Sequence, residues 1–197
     1  MNTKEIILNQ LIHTHVNQIK AVCLTNKLAY EVCSDPHFWI HKFEHDHIPL
    51  TLVGYPTTVQ GWINEYKNML TIDKVLAYVD WLSSIDYVEI KINNDDIMMM
   101  TQLLYDNDIM DDEEYKEMTT LYHQNENDRV HFVPSFKLFS SYQVNVILIY
   151  DDYQNEYDEV SLFQNTTKEK VHGFLLDVVH TINDFDFLYV SHTRPFQ

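Results

Sequence analysis

At Ile85 the spacing of the apolar residues changes, and no single type of secondary structure accommodates both sides of that change. Before it, Trp62, Ile63, Tyr66, Met69 and Leu70, then Ile72, Val75, Leu76, Val79 and Leu82, recur every three or four residues. That is one apolar stripe along two amphipathic helices, or along a single kinked one. After it, Val88, Ile90 and Ile92 alternate with Tyr87, Glu89 and Lys91, a strand that ends in the turn-forming Asn93-Asn94-Asp95-Asp96. The chain is therefore expected to be α+β.

Both periods continue to the end. A helix is expected from about Asp96 to Tyr105. Another should run through Tyr122, capped by Asp111, with Asp112, Glu113 and Glu114 placing negative charge at its positive end. Val130 to Val133, Val144 to Tyr150 and Glu159 to Phe163 read as strands, the last two forming a hairpin around Asp151 to Asp158. Thr166-Thr167-Lys168-Glu169 reads as a capping box opened by Thr166. The apolar ridge Val171, Phe174, Leu175, Val178, Val179 and Ile182 that follows needs a sheet to lie on. Phe185, Phe187 and Tyr189 mark a last strand.

Residues 5 to 47 carry only helical spacing: Ile7, Leu8 and Leu11, then Ile19, Val22 and Cys23 behind Asn17 as N-cap, then Leu28, Tyr30 and Val32. Pro36 and Pro49 bar helix from the residues before them. The expected organisation is a helical module over residues 1–50 packed with a 51–197 region of helices and a small mixed or antiparallel sheet.

Composition removes several classes of function. Lys and Arg total 13 against 30 for Asp and Glu, a net charge of −17, so a nucleic-acid or anionic-membrane surface would work against the protein's own field. Three glycines in 197 residues leave little material for phosphate-cradling loops or strained nucleophile turns. The apolar run Val146 to Tyr150 falls far short of the roughly 20 residues that span a bilayer. Met1 to Leu8 lacks a signal-peptide core, which points to an intracellular protein. Cys23 and Cys33 belong to no CxxC pair and are expected to be buried, reduced thiols.

Few residues suggest chemistry. His37, His41 and His45 stand at i, i+4 and i+8, where one helix face could offer two imidazoles and weak metal binding, but the glutamate of an HExxH motif is missing. Asp106, Asp108, Asp112, Glu114 and Glu117 match EF-hand offsets, yet Met110 and Asp111 stand where an oxygen donor and a glycine are required. An acidic helix-to-helix connection is the expected structure there. No catalytic residue, metal site or cofactor is assigned.

Residues 5 to 47 resemble the F-box motif, in particular the divergent F-box-like sequences of large DNA viruses. The matching text is Ile6-Ile7-Leu8-Asn9-Gln10-Leu11, then the segment from Asn17 to Tyr30, with Val22, Leu24 and Asn26-Lys27 at pattern positions, then Val32-Cys33-Ser34-Asp35-Pro36-His37-Phe38-Trp39. The viral-style continuation is Lys42-Phe43-Glu44-His45-Asp46 and Ile48-Pro49-Leu50; the Leu-Pro pair that usually opens the motif is absent. The resemblance implies a noncatalytic three-helix module that docks on the Skp adaptor of a cullin-type ubiquitin ligase in the host cytoplasm or nucleus, while the rest of the chain selects a target. Leu8, Leu11, Ile19, Val22, Leu28 and Trp39 are the expected partner-binding residues, Trp39 as a core pin. The alternative is a structural or virion-assembly protein that keeps the helices as a scaffold and binds virion components.

Overall fold

The computed structural model describes residues 3–25, 27–50, 55–125, 131–151 and 157–191. The chain is α+β and divides into two compact units, Met1–Asp73 and Lys74–Gln197. The helical unit extends past the 1–50 span read from the sequence and takes in part of a long helix.

That unit holds α1 (Thr3–Ile12), α2 (Val16–Cys23), α3 (Lys27–Cys33), α4 (Pro36–His45) and the first part of α5 (Val59–Val79). The pattern from Trp62 to Val79 thus folds as one 21-residue helix, and Leu82 lies beyond its end. α1 packs on α3 and α4, and α3 on α2 and α4. α2 is capped by His15, whose Nδ1 accepts from the Asn17 N–H at 3.3 Å, and not by Asn17 as expected. An imidazole acceptor two residues upstream of a free amide does the work of an Asx cap. Asp35 caps α4 by accepting from the His37 N–H at 3.0 Å, and Pro36 occupies the first helical position, where no N–H is needed. The helix ends in a Schellman turn: His47 N–H bonds Glu44 C=O, Ile48 N–H bonds Phe43 C=O, and His47 sits at φ 57°.

Cys23 and Cys33 are joined as a disulfide with a Cα–Cα distance of 6.1 Å, which corrects the expectation of reduced thiols. Cys23 closes α2 and Cys33 closes α3, and the packing of α2 on α3 accompanies an approach of the two helix ends to within bridging range.

The second unit contains β1 (Tyr87–Ile92), α6 (Ile97–Asp106), α7 (Asp112–Asn125), β2 (His131–Phe139), β3 (Gln143–Asp151), β4 (Tyr157–Asn165), α8 (Lys168–Thr181) and β5 (Phe185–Val190). The strands form one antiparallel sheet in the order β4-β3-β2-β1-β5. Cross-strand pairs put Val88, Ile90, Phe136, Leu138, Val144 and Val146 on one face, all buried. Met100 and Leu104 of α6 and Phe174, Leu175 and Val178 of α8 supply further buried apolar side chains of this unit. The α6–α8 contact is close at Gly173, where a Cβ would stand 2.6 Å from Asn107 Oδ1. Asn107 is held there by donating to Leu103 C=O and Asp177 Oδ2.

β2 runs on through Pro134 to Phe139, beyond the expected stop at Val133. Its ladder to β1 covers only Phe136 to Phe139, so at Pro134 only the pairing with β3 remains, a position that tolerates a missing N–H. The β2–β3 connection has Ser141 and Tyr142 both at positive φ, 60° and 58°, without glycine or asparagine. Tyr142 is anchored: its hydroxyl donates to Asp80, which also receives Lys168 Nζ at 2.8 Å. These hydrogen bonds hold the Asp80 carboxyl below the usual carboxylate range and raise Lys168.

Candidate functional site

The residues expected to bind a partner divide by burial. Leu11, Ile19 and Trp39 are sealed, at 1%, 0% and 0% exposure, in the unit where α1, α2 and α4 pack around α3. Leu8, Val22 and Leu28 are half-buried. The exposed large apolar side chains among the described residues from Thr3 to Cys33 are Ile6 on α1 at 42%, Leu24 just past the end of α2 at 72% and Tyr30 on α3 at 53%. Leu11, Ile19 and Trp39 are therefore core in this conformation, and the outward apolar set is Ile6, Leu8, Val22, Leu24, Leu28 and Tyr30. Helical spacing identifies an apolar stripe but not what covers it.

Trp39 pins the unit through three contacts. Its indole N–H donates to Cys33 C=O at 2.8 Å, its ring stacks on Trp62 at 6.0 Å with 3° between planes, and Phe38 meets its edge. This couples the disulfide-bearing end of α3 to α4 and α5 in one apolar cluster.

Lys42 carries structural weight that sequence reasoning missed. It lies between Phe38, Trp39 and Phe43 on the buried side of α4, at 3% exposure, and its Nζ donates to Ile12 C=O and to Asp46 Oδ2, each at 2.7 Å. The first bond satisfies the last carbonyl of α1, one of those left over at a helix end. Tyr66 of α5 donates its hydroxyl to Asp46, and His45 Nδ1 lies 2.7 Å from the other carboxylate oxygen. Burial works to raise the Asp46 carboxyl, but hydrogen bonds from Lys42, Tyr66 and His45, with the Lys42 charge, hold it below the usual range. Burial and the neighbouring anion push the Tyr66 phenol up. This network ties α1, α4 and α5 together. The i, i+4 spacing of Lys42 and Asp46 is its one signal in the sequence.

The residues considered for metal binding face solvent or a neighbouring carboxylate. His37 and His41 are exposed, His41 faces Glu44 at 3.2 Å and His45 faces Asp46. Among the described residues no three His, Cys, Asp or Glu side chains are grouped to hold a metal.

The 106–117 stretch forms a helix-to-helix connection. α6 ends in a second Schellman turn, Asp108 N–H to Tyr105 C=O and Ile109 N–H to Leu104 C=O, with Asp108 at φ 51°. Asp111 Oδ1 then accepts from the Glu113 and Glu114 N–H groups while Glu114 Oε2 accepts from the Asp111 N–H, each at 2.9 Å, a reciprocal capping box. Asp112 accepts from Tyr105, and Glu114 also from Gln164. Asp106, Asp108, Asp111, Asp112 and Glu113 line a depression of about 730 Å³, in which the Asp111 and Asp112 carboxylates already accept hydrogen bonds. The box expected at Thr166 is displaced: Thr167 caps α8, accepting from the Lys170 N–H at 3.4 Å. The acidic run Asp151 to Glu159 lies at side chains outside the described residues.

Of Met98 to Met100, Met100 is buried and Met99 is 40% exposed, as three neighbours on one helix require. No helix among the described residues is long and apolar enough to cross a membrane. Comparison with protein-family models, curated proteins and solved structures finds no match to this chain.

Proposed function

We propose that the helical unit is an F-box-like docking module and that the chain is a noncatalytic interaction protein, linking a target to the Skp-type adaptor of a cullin ubiquitin ligase. The observation that carries this reading is the coincidence of two features. The 5–47 text resembles the F-box pattern, and the helices it covers keep Ile6, Leu24 and Tyr30 exposed while Leu11, Ile19 and Trp39 close the core beneath them. A small helical unit that sends its largest aromatic inward and leaves apolar side chains on short neighbouring helices offers the kind of surface a partner groove buries. The α+β unit is then the part that selects a target.

The test is affinity purification from eukaryotic cells with mass spectrometry, wild type beside Leu24→Asp combined with Tyr30→Asp. Substitution at Leu11 or Ile19 would disrupt the core and could not separate docking from folding. Recovery of adaptor and cullin with wild type and their loss from the surface variant supports the reading. Equal recovery from both, or from neither, refutes it. The sealing of Leu11 and Ile19 is the observation that favours the second reading, a virion or assembly protein using the helices as a scaffold. Copurification with virion components in place of the adaptor would select it.

A further inference from the structure

We propose that Cys23 and Cys33 form a redox modification site whose oxidation state sets the local stability of the α2–α3 hairpin. These are the chain's only two cysteines, and they are bonded to each other. Each is the last residue of its helix, α2 of eight residues and α3 of seven, lengths at which an isolated helix in water is marginal. The crosslink closes a segment with a sequence separation of ten. Within that segment lie Leu24 and Tyr30, two of the most exposed apolar side chains of the unit. The inference stands whatever partner those side chains meet.

Burial determines how the site behaves. Cys23 is 2% exposed and Cys33 0%, so neither sulfur is open to a reagent while the hairpin is closed. Exchange must therefore pass through an opened hairpin, and closing it preserves the state reached. The reactant class is a small disulfide. One cysteine thiolate attacks it, releasing one thiol and forming a mixed disulfide. The second thiolate then displaces the other half, so two electrons pass from the cysteine pair to the small disulfide, which leaves as two thiols, and the Cys23–Cys33 bond remains. Removing the crosslink restores the freedom of the opened loop, and for a loop of this length the chain-entropy relation makes opening about 100-fold more frequent. Trp39 is the second tie on the same segment, through Cys33 C=O, so in the reduced protein the Cys23 side of the hairpin is the less restrained.

The experiment uses the full chain equilibrated with oxidised and reduced glutathione in varying ratio. Alkylation and intact mass give the thiol state, and amide exchange is followed over residues 16–33. The expected result is a two-thiol transition accompanied by about 100-fold faster exchange in 16–33, with α8 exchange unchanged. The pair Cys23→Ser with Cys33→Ser should exchange like the reduced protein, and in-place reduction of wild type gives the same comparison should that variant fail to fold. Three results overturn the proposal: thiols that stay free after unfolding and refolding in oxidised glutathione, exchange in 16–33 that is the same in both states, or loss of protection in α8 together with the hairpin.

Discussion

Replacing Lys42 by Met should destabilise the helical unit by about 3 kcal/mol, at the lower end of the range for breaking a buried ion pair. Met keeps the apolar stem, so the loss is confined to the ammonium group. Two bonds of 2.7 Å disappear, stranding the Ile12 carbonyl and removing the main counter-charge of Asp46. The lower end applies because the Asp46 side chain retains 20% exposure and its contacts with Tyr66 and His45. Urea unfolding followed by circular dichroism, with amide exchange in α1 and α4, measures the cost. Adding Asp46→Asn to Lys42→Met should show a coupling of about 1–2 kcal/mol, since the pair shares one network. Acid gives an independent check. Asp46 has a folded pKa below its unfolded value, so its contribution is complete above the unfolded carboxylate value of about 3.9 and is lost as pH falls through the folded one. That acid-sensitive component should shrink in Lys42→Met. A cost under about 1 kcal/mol with no coupling to Asp46 would refute the network as a structural tie.

Three further outcomes are expected. Ser141→Gly should stabilise the α+β unit by about 1 kcal/mol in thermal unfolding, because glycine relieves the left-handed backbone at φ 60°; a destabilised variant would mean the Ser141 side chain matters more than its conformation. Thr167→Ala should cost about 1 kcal/mol while Thr166→Ala costs less, a comparison that reverses if the cap lies where the sequence first suggests. Lys168→Met should raise the Asp80 pKa toward the ordinary carboxylate range, measured by NMR titration, and an unmoved pKa would show that the Lys168 contact is not maintained in solution.

Much of the fold was legible where the signal is local. The alternation at Tyr87–Ile92 and the helical ridge from Val171 to Ile182 appear as β1 and α8 because a strand or helix that buries one face needs only its own period to be recognised. Cap positions moved by a residue or two, since Thr166 and Thr167 are chemically alike and His15 is an unusual acceptor. The Ser141-Tyr142 turn was illegible because it lacks the residues that make left-handed backbone inexpensive. The disulfide was illegible too, because a spacing of ten does not determine whether two Cα atoms meet at 6.1 Å. The same limit applied to the candidate site. Leu11 and Leu8 share a helix, yet one is sealed and the other half-buried, and Lys42 is buried because its acceptor on Ile12 lies 30 residues away in the chain.

The three tryptophans occupy sharply different surroundings: Trp39 and Trp62 lie face to face in the helical unit, while Trp81 is 90% exposed in the other. Their emission should therefore separate without any label. A water-soluble quencher such as iodide reaches Trp81 and leaves the stacked pair shielded, so each unit of the protein carries its own optical reporter.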